Sequence, residues 1–208
     1  RPNSYNDCKA KPPSERHELT EEHDKLTVSR GVTWHAHSMF LPENTPVINS
    51  DWITMGQFHN LGEVGPPVNF DLKERQFQLV TRFLCQQPQK FEKNVSCNSD
   101  EYGNRIVKLI SEEDLFGKWN DFVVNANWTK NFEKGFFKLW VNGKLAYHYQ
   151  GRTVAPGNQI SVQFGVYREA ASKNDENATH VVFYDELRIA HKSCKKLKLE
   201  DLGYSCKE

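Results

Sequence analysis

Three short groupings in this chain combine residue types that move protons or hold negative charge. Gln57-Phe58-His59 sets an amide and an imidazole two positions apart, and Gln163-Phe164-Gly165-Val166-Tyr167 ends on a phenol. Arg16-His17-Glu18-Leu19 offers a guanidinium and a carboxylate at alternate positions. An amide N–H and a guanidinium stabilise a carboxylate or oxyanion, while an imidazole and a phenol carry protons. His35 and His37 share one face of their segment and are further candidates to enter a cleft or bind a metal. No paired Cys/His spacing of a zinc site occurs, and no strand shows the E-x-D-x-E carboxylates of a jelly-roll glycoside hydrolase.

These groups can meet only if strands hold them, because alternation in a strand sends successive side chains to opposite faces. It puts Gln57 and His59 on one face with Phe58 on the other, and groups Gln163, Gly165 and Tyr167 against Val162, Phe164 and Val166. A sheet hides its apolar face, so the polar sets are expected to share an open sheet surface. Gly165 beside Tyr167 would leave a gap for close approach of a ligand.

Segments 26–41, 51–60, 68–84, 121–128, 135–150, 159–168 and 179–191 read as strands, with 68–84 a hairpin in two pieces. Asn142-Gly143 between Leu139-Trp140-Val141 and Lys144-Leu145-Ala146 is a strong hairpin signal. Residues 108–120 read as an acidic turn. Strands recurring without amphipathic helices between them imply an all-β sandwich or jelly roll. One domain over 1–208 is expected, with a polar N-terminal segment at 1–25 and a cysteine-bridged tail at 192–208.

The 208 residues carry 27 Lys+Arg against 27 Asp+Glu, which argues against a nucleic-acid binder. No run approaches the ~20 apolar residues of a membrane helix. Five cysteines suggest two loop-closing disulfides, Cys85–Cys97 and Cys194–Cys206, with Cys8 left over, and hence an oxidising compartment. Sequons stand at Asn94, Asn127 and Asn177, a number that composition alone nearly explains. A secreted or periplasmic monomer is expected.

The stretch GKWNDFVVNANWTKNFEKGFFKLWVNGK, followed by FGVYR and FYDELRIA, resembles the β-jelly-roll polysaccharide lyases, especially glucuronan lyases and the heparin-lyase-I group. WHAHSMFLP is similar to their early W-x-x-S-x-x-L-P strand. The R-x-E-L, Q-x-H and G-x-Y motifs of the related alginate lyases correspond in order to Arg16-His17-Glu18-Leu19, Gln57-Phe58-His59 and Gly165-Val166-Tyr167. The residue after Tyr167 is Arg168, where the alginate enzymes carry Asn.

The resemblance implies a concanavalin A-like β-jelly-roll sandwich of two antiparallel sheets and cleavage of a 4-linked uronate polysaccharide by β-elimination. It implies Gln57, His59, Tyr167 and Arg16 as catalytic residues. Gln57 with Arg16 or Arg168 would neutralise the uronate carboxylate, and His59 and Tyr167 would share the roles of base and acid. Arg168, His37, Gln163, Lys138 and Arg75 are candidates to line a groove for the anionic chain. The chemistry requires no cofactor; Asp185-Glu186 resembles a segment near a structural calcium in some jelly rolls. A non-catalytic lectin-like module on the same scaffold is the rival reading, although such a module needs neither base nor acid.

Overall fold

The structure is a computed structural model, and it describes residues 5–7, 14–20, 30–46, 52–60, 65–83, 105–154, 159–169 and 178–206. Cys8, the expected Cys85–Cys97 pair and the sequons at Asn94 and Asn177 lie outside the described residues. The strands are β1 (Tyr5–Asp7), β2 (Ser14–Thr20), β3 (Gly31–Phe40), β4 (Ile53–Asn60), β5 (Val68–Lys73) and β6 (Gln76–Thr81). They continue with β7 (Arg105–Ile110), β8 (Trp119–Trp128), β9 (Phe136–Val141), β10 (Lys144–Gln150), β11 (Ile160–Glu169) and β12 (Phe183–His191). A single helical turn, α1 (Glu112–Leu115), precedes β8, and two short 3-10 helices, Cys194–Leu197 and Leu199–Leu202, follow β12.

Two antiparallel sheets form the jelly-roll sandwich: seven strands in the order β1-β2-β11-β4-β5-β6-β7 and five in the order β10-β9-β8-β3-β12. The expected two-sheet architecture is thus present, with differences at three places. Strand β2 lies within the polar N-terminal segment, outside the segments that read as strands, because its backbone pairs with β11 despite a polar sequence. Residues 105–110 are strand β7, whose Ile106 is exposed, so burial supplies little alternation to read there. The acidic run Glu112-Glu113-Asp114 is a turn, in helical form, but both ends of the 108–120 segment belong to strands β7 and β8.

The core lies between the sheets. Phe137, Leu139 and Val141 of β9 and Phe122, Val124, Ala126 and Trp128 of β8 point inward against Phe58, Phe70, Leu72, Val162 and Ile160 of the larger sheet. Each such side chain contributes roughly 1.5–3 kcal/mol through burial. The Asn142-Gly143 turn has both residues at positive φ, 48° and 76°, as expected for its twist. The β5–β6 hairpin uses Glu74 and Arg75 at φ 48° and 62° without a glycine.

A second cluster covers the outer face of the five-stranded sheet. Leu197, Leu199 and Cys194 pack on Trp34, Ala36, Val123 and Ala190. The expected Cys194–Cys206 disulfide closes this tail, and the Tyr204 hydroxyl donates to Asp121 at 2.7 Å. Asn127, the described sequon, donates its amide to the Lys134 carbonyl at 2.7 Å.

His35 and His37 also belong to the core. The His37 ring stacks on Phe122 at 4.9 Å and touches Phe164 at 4.7 Å; His35 meets Phe58 edge-on at 5.1 Å. Burial is the main force holding both rings neutral, with pKa values pulled down from 6.5 to about 3. His37, expected to line a groove, instead lies in the core, because alternation from Trp34 and Ala36 on the tail-covered face turns it into the sandwich. The unfolded chain takes up protons near 6.5 that the folded rings refuse, so the stability they contribute is lost as pH falls from 6.5 toward 3. Thermal unfolding at about pH 7 and about pH 4.5 should show a smaller loss of melting temperature for His37→Phe than for the unchanged protein.

Candidate active site

The outer face of the seven-stranded sheet carries the polar positions that alternate with this core. In register, Gln163 lies opposite Gln57 and Ser161 opposite His59 across β11 and β4. Tyr167 lies opposite Arg16, and Gly165 opposite Glu18, across β11 and β2. Asn69 of β5 neighbours Gln57, and Asp71 neighbours Thr54. The face is thus a row, with Tyr167 and Arg16 at one end, Gln57, Gln163 and Glu18 in the middle, and His59 with Ser161 at the other.

Gly165 decides how close β2 comes. Its φ is 144°, and a Cβ there would lie 2.1 Å from the His17 carbonyl oxygen and 2.6 Å from the Glu18 Cα. The gap beside Tyr167 is therefore filled by the β2 backbone rather than by a ligand. That approach delivers Arg16 and Glu18 to the row.

The Arg16 guanidinium lies 4.1 Å from the centre of the Tyr167 ring, a cation–π contact. Trp52 packs on the same ring at 4.6 Å. Gln57, only 2% exposed, donates from Nε2 to Glu18 Oε1 at 2.7 Å and to Gln163 Oε1 at 2.8 Å. Arg16 Nε stands 3.4 Å from Glu18 Oε2. Burial raises the Glu18 carboxyl above its ordinary range, against the pull of the Gln57 bond and the Arg16 charge.

His59 Nδ1 meets the Asn60 carbonyl oxygen, which can only accept. Nδ1 is therefore a protonated ring nitrogen. Asp71 is pushed up to about 6, chiefly by burial and against its bond from Thr54. Its linkage is opposite to that of the core histidines: it favours the folded state below about 4 and loses that effect as pH rises to about 6. Ser161 Oγ and Asn69 Oδ1 are buried without hydrogen-bond partners among the described residues.

Four predicted groove residues lie elsewhere. Arg168 points to the opposite side of β11 from Tyr167, where it pairs with Glu15 at 2.7 Å and donates to His180 Nδ1 at 2.8 Å and to the Ala178 carbonyl. Lys138 sits on β9, on the outer face of the other sheet, with its ammonium near the Phe136 ring. Arg75 is at the β5–β6 turn, bonded to Glu112 and lying 3.9 Å over Phe116. His37 is the core residue described above. Glu186 gives its carboxylate to Arg188, and Asp185 accepts from the Glu186 N–H, so nothing there favours calcium. Among the described residues no cluster of three or more His, Cys, Asp or Glu is poised to hold a metal.

Glu18, Asn69 and Asp71 join the row without having been singled out as site residues. Glu18 was legible from its alternation with Arg16, and Asn69 and Asp71 from their places between Val68, Phe70 and Leu72.

A family model described as polysaccharide lyase matches residues 3–188. The chain belongs to the polysaccharide lyase family. No curated protein sequence matches it. Among solved structures, an endo-β-1,4-glucuronan lyase from the fungus Trichoderma reesei is similar at a TM-score of 0.61 and 15% identity, over 88% of this chain and 77% of that one. An alginate lyase from Pseudomonas aeruginosa is similar at 0.54 and 16%, over 78% and 66%. The alginate lyase from Corynebacterium sp. is similar at 0.54 and 11%, over 86% and 68%. At these identities the likeness is one of fold, and it agrees with the jelly roll described above.

The polysaccharide lyase thus carries its polar row on the larger sheet, and Gly165 is the residue on which the assembly of that row turns. Gly165→Ala should cost roughly 1–3 kcal/mol of stability and should lose activity, because Arg16 and Glu18 retreat with β2. Thermal unfolding and a turnover assay on the same preparation check both.

Proposed function

We propose that this lyase cleaves a 4-linked uronic-acid polysaccharide by β-elimination on the outer face of the seven-stranded sheet. The observation that carries the reading is the convergence of Arg16, Gln57 and Tyr167 on that face, with His59 at its far end. Gln57 and Arg16 meet the uronate carboxylate, which makes the hydrogen on C5 acidic. His59 Nε2 takes that proton. The C5–H electron pair becomes the C4=C5 double bond, the C4–O4 bond breaks, and the Tyr167 hydroxyl protonates the departing oxygen. The products are an unsaturated uronate end and a new hydroxyl end.

The proton on His59 Nδ1 leaves Nε2 for the base role, and Tyr167 is the phenol on the same face. The Cys194–Cys206 disulfide supports work in an oxidising, extracytoplasmic compartment. No helix of the described residues is long and apolar enough to cross a membrane.

The test is a panel of glucuronan, alginate, heparin, heparan sulfate, hyaluronan and pectate, followed by the ultraviolet absorbance of the unsaturated uronate. A rise on one polymer is the expected result. Silence on all six, with retention of the protein on an immobilised polyuronate, would transfer the reading to a binding module.

Tyr167→Phe should lower the rate by about 10²–10⁴-fold while leaving the fold and polymer retention intact. A Phe variant that keeps most of the rate removes Tyr167 from the acid role. Lys138→Ala, by contrast, should leave the rate unchanged, since Lys138 stands on the other sheet.

A further inference from the structure

The middle of the row holds a hydrogen-bond chain that is closed against the ligand it should receive. Gln57 has two amide protons. One goes to Glu18 Oε1 at 2.7 Å and the other to Gln163 Oε1 at 2.8 Å. What Gln57 retains for the outside is its carbonyl oxygen, an acceptor, which repels a carboxylate. Glu18 is enclosed as well: its side chain is 1% exposed against 32% for Arg16. Its second oxygen, Oε2, is buried and makes no hydrogen bond among the described residues.

This arrangement needs Glu18 Oε1 to accept, which an ionised Glu18 does at both of its oxygens. A Glu18 protonated on Oε1 reverses every bond in the chain, because that oxygen then donates to Gln57. The Glu18 O–H then donates to the Gln57 carbonyl oxygen, the Gln57 amide turns half a revolution about its last torsion, and the Gln163 amide turns likewise to donate to that same oxygen. Both Gln57 N–H groups are then released toward the site.

We propose that Glu18 is a positioning residue that takes up one proton from solvent when the substrate carboxylate binds, and so turns the Gln57 amide from acceptor to donor. The proposal deepens the uronate reading above and rests on it. The balance is simple: one proton enters with each bound carboxylate and leaves when the product departs, with no bond to carbon involved.

The surroundings favour this step. The direction of the Glu18 shift, upward through burial, brings proton uptake nearer to working pH. Among the described residues, the charged group that acts on Glu18 is Arg16 on its own strand, against the burial of the carboxyl. Behind the sheet the Tyr184 phenol of β12 also feels its charge. A second carboxylate arriving beside Glu18 and Arg16 raises the proton affinity of Glu18 further, since one guanidinium then faces two anions.

The test uses the Tyr167→Phe protein, which should bind without turning over, with an alginate tetrasaccharide and a glucuronan tetrasaccharide as probes. Binding heats are measured in two buffers of different ionisation enthalpy across a pH series. The expected result is uptake of close to one proton per bound tetrasaccharide, and affinity that falls about tenfold per pH unit once free Glu18 is ionised. Adding Glu18→Gln, whose amide donates at every pH, should abolish both the uptake and the pH dependence while preserving affinity at the acid end. Glu18→Ala should weaken binding at every pH.

Binding without proton uptake overturns the proposal, as does a Glu18→Gln variant that keeps the original pH dependence. If Glu18→Gln fails to fold, the uptake measured on the Tyr167→Phe protein decides alone. Failure of the wild type to cleave any polyuronate is a separate result that removes the uronate reading and this inference together.

Discussion

The aromatic layer between the two sheets governs what their outer faces can display. Phe58 packs against Phe137, Trp128 and Phe70, and Phe122 against Phe70, Phe77 and His37. Side chains along a strand alternate with a period of two, so sinking Phe58 commits Gln57 and His59 to the outside. Sinking Val162 and Phe164 does the same for Gln163 and Tyr167. A slip of one residue would exchange the two sets and bury the polar row, which the hydrophobic effect forbids.

The charges are sorted by the same layer. Histidines placed between the sheets stay neutral, because the cost of burying an ion there outweighs any pull of their neighbours. At the end of the sandwich Arg168 is held by Glu15 and by a neutral His180, whose other ring nitrogen meets the Pro46 carbonyl. Arg75 and Arg188 are likewise engaged with Glu112 and Glu186. These arginines tie strands and turns together, whereas Arg16 lies along the Tyr167 ring on the outer face. Strand position thus decides whether a cation ties elements together or stands on the outer face of the larger sheet.

The row itself combines rigidity with unused polar capacity. Gln57 is held from two strands, Tyr167 is clasped between Arg16 and Trp52, and His59 is fixed by the neighbouring carbonyl. Such anchoring fixes the side chains of the row before a ligand arrives, which lowers the cost of ordering them. The buried Ser161 and Asn69 oxygens without partners are the counterpart, since polar atoms left unpaired in a fold mark places where another molecule can complete the bonding.

Much of this protein was legible in its residues. Period-two alternation with Val, Phe and Trp specified the strands that face the core, Asn142-Gly143 specified a hairpin, and the alternate polar positions at Gln57, His59, Gln163 and Tyr167 specified a shared face. Those signals are local, because each depends only on which side of one strand a residue occupies. Strand β2 carried no such signal, since a polar strand there forms through hydrogen bonds to β11 and β1 and not through its own apolar pattern. Tertiary structure alone decided that Arg168 turns inward to Glu15, that Lys138 and Arg75 stand away from the row, and that His37 fills the core. It also decided that Glu18 grips Gln57, because that contact spans 39 positions of the chain and exists only where β11, with a glycine at 165, lets two distant strands close on each other.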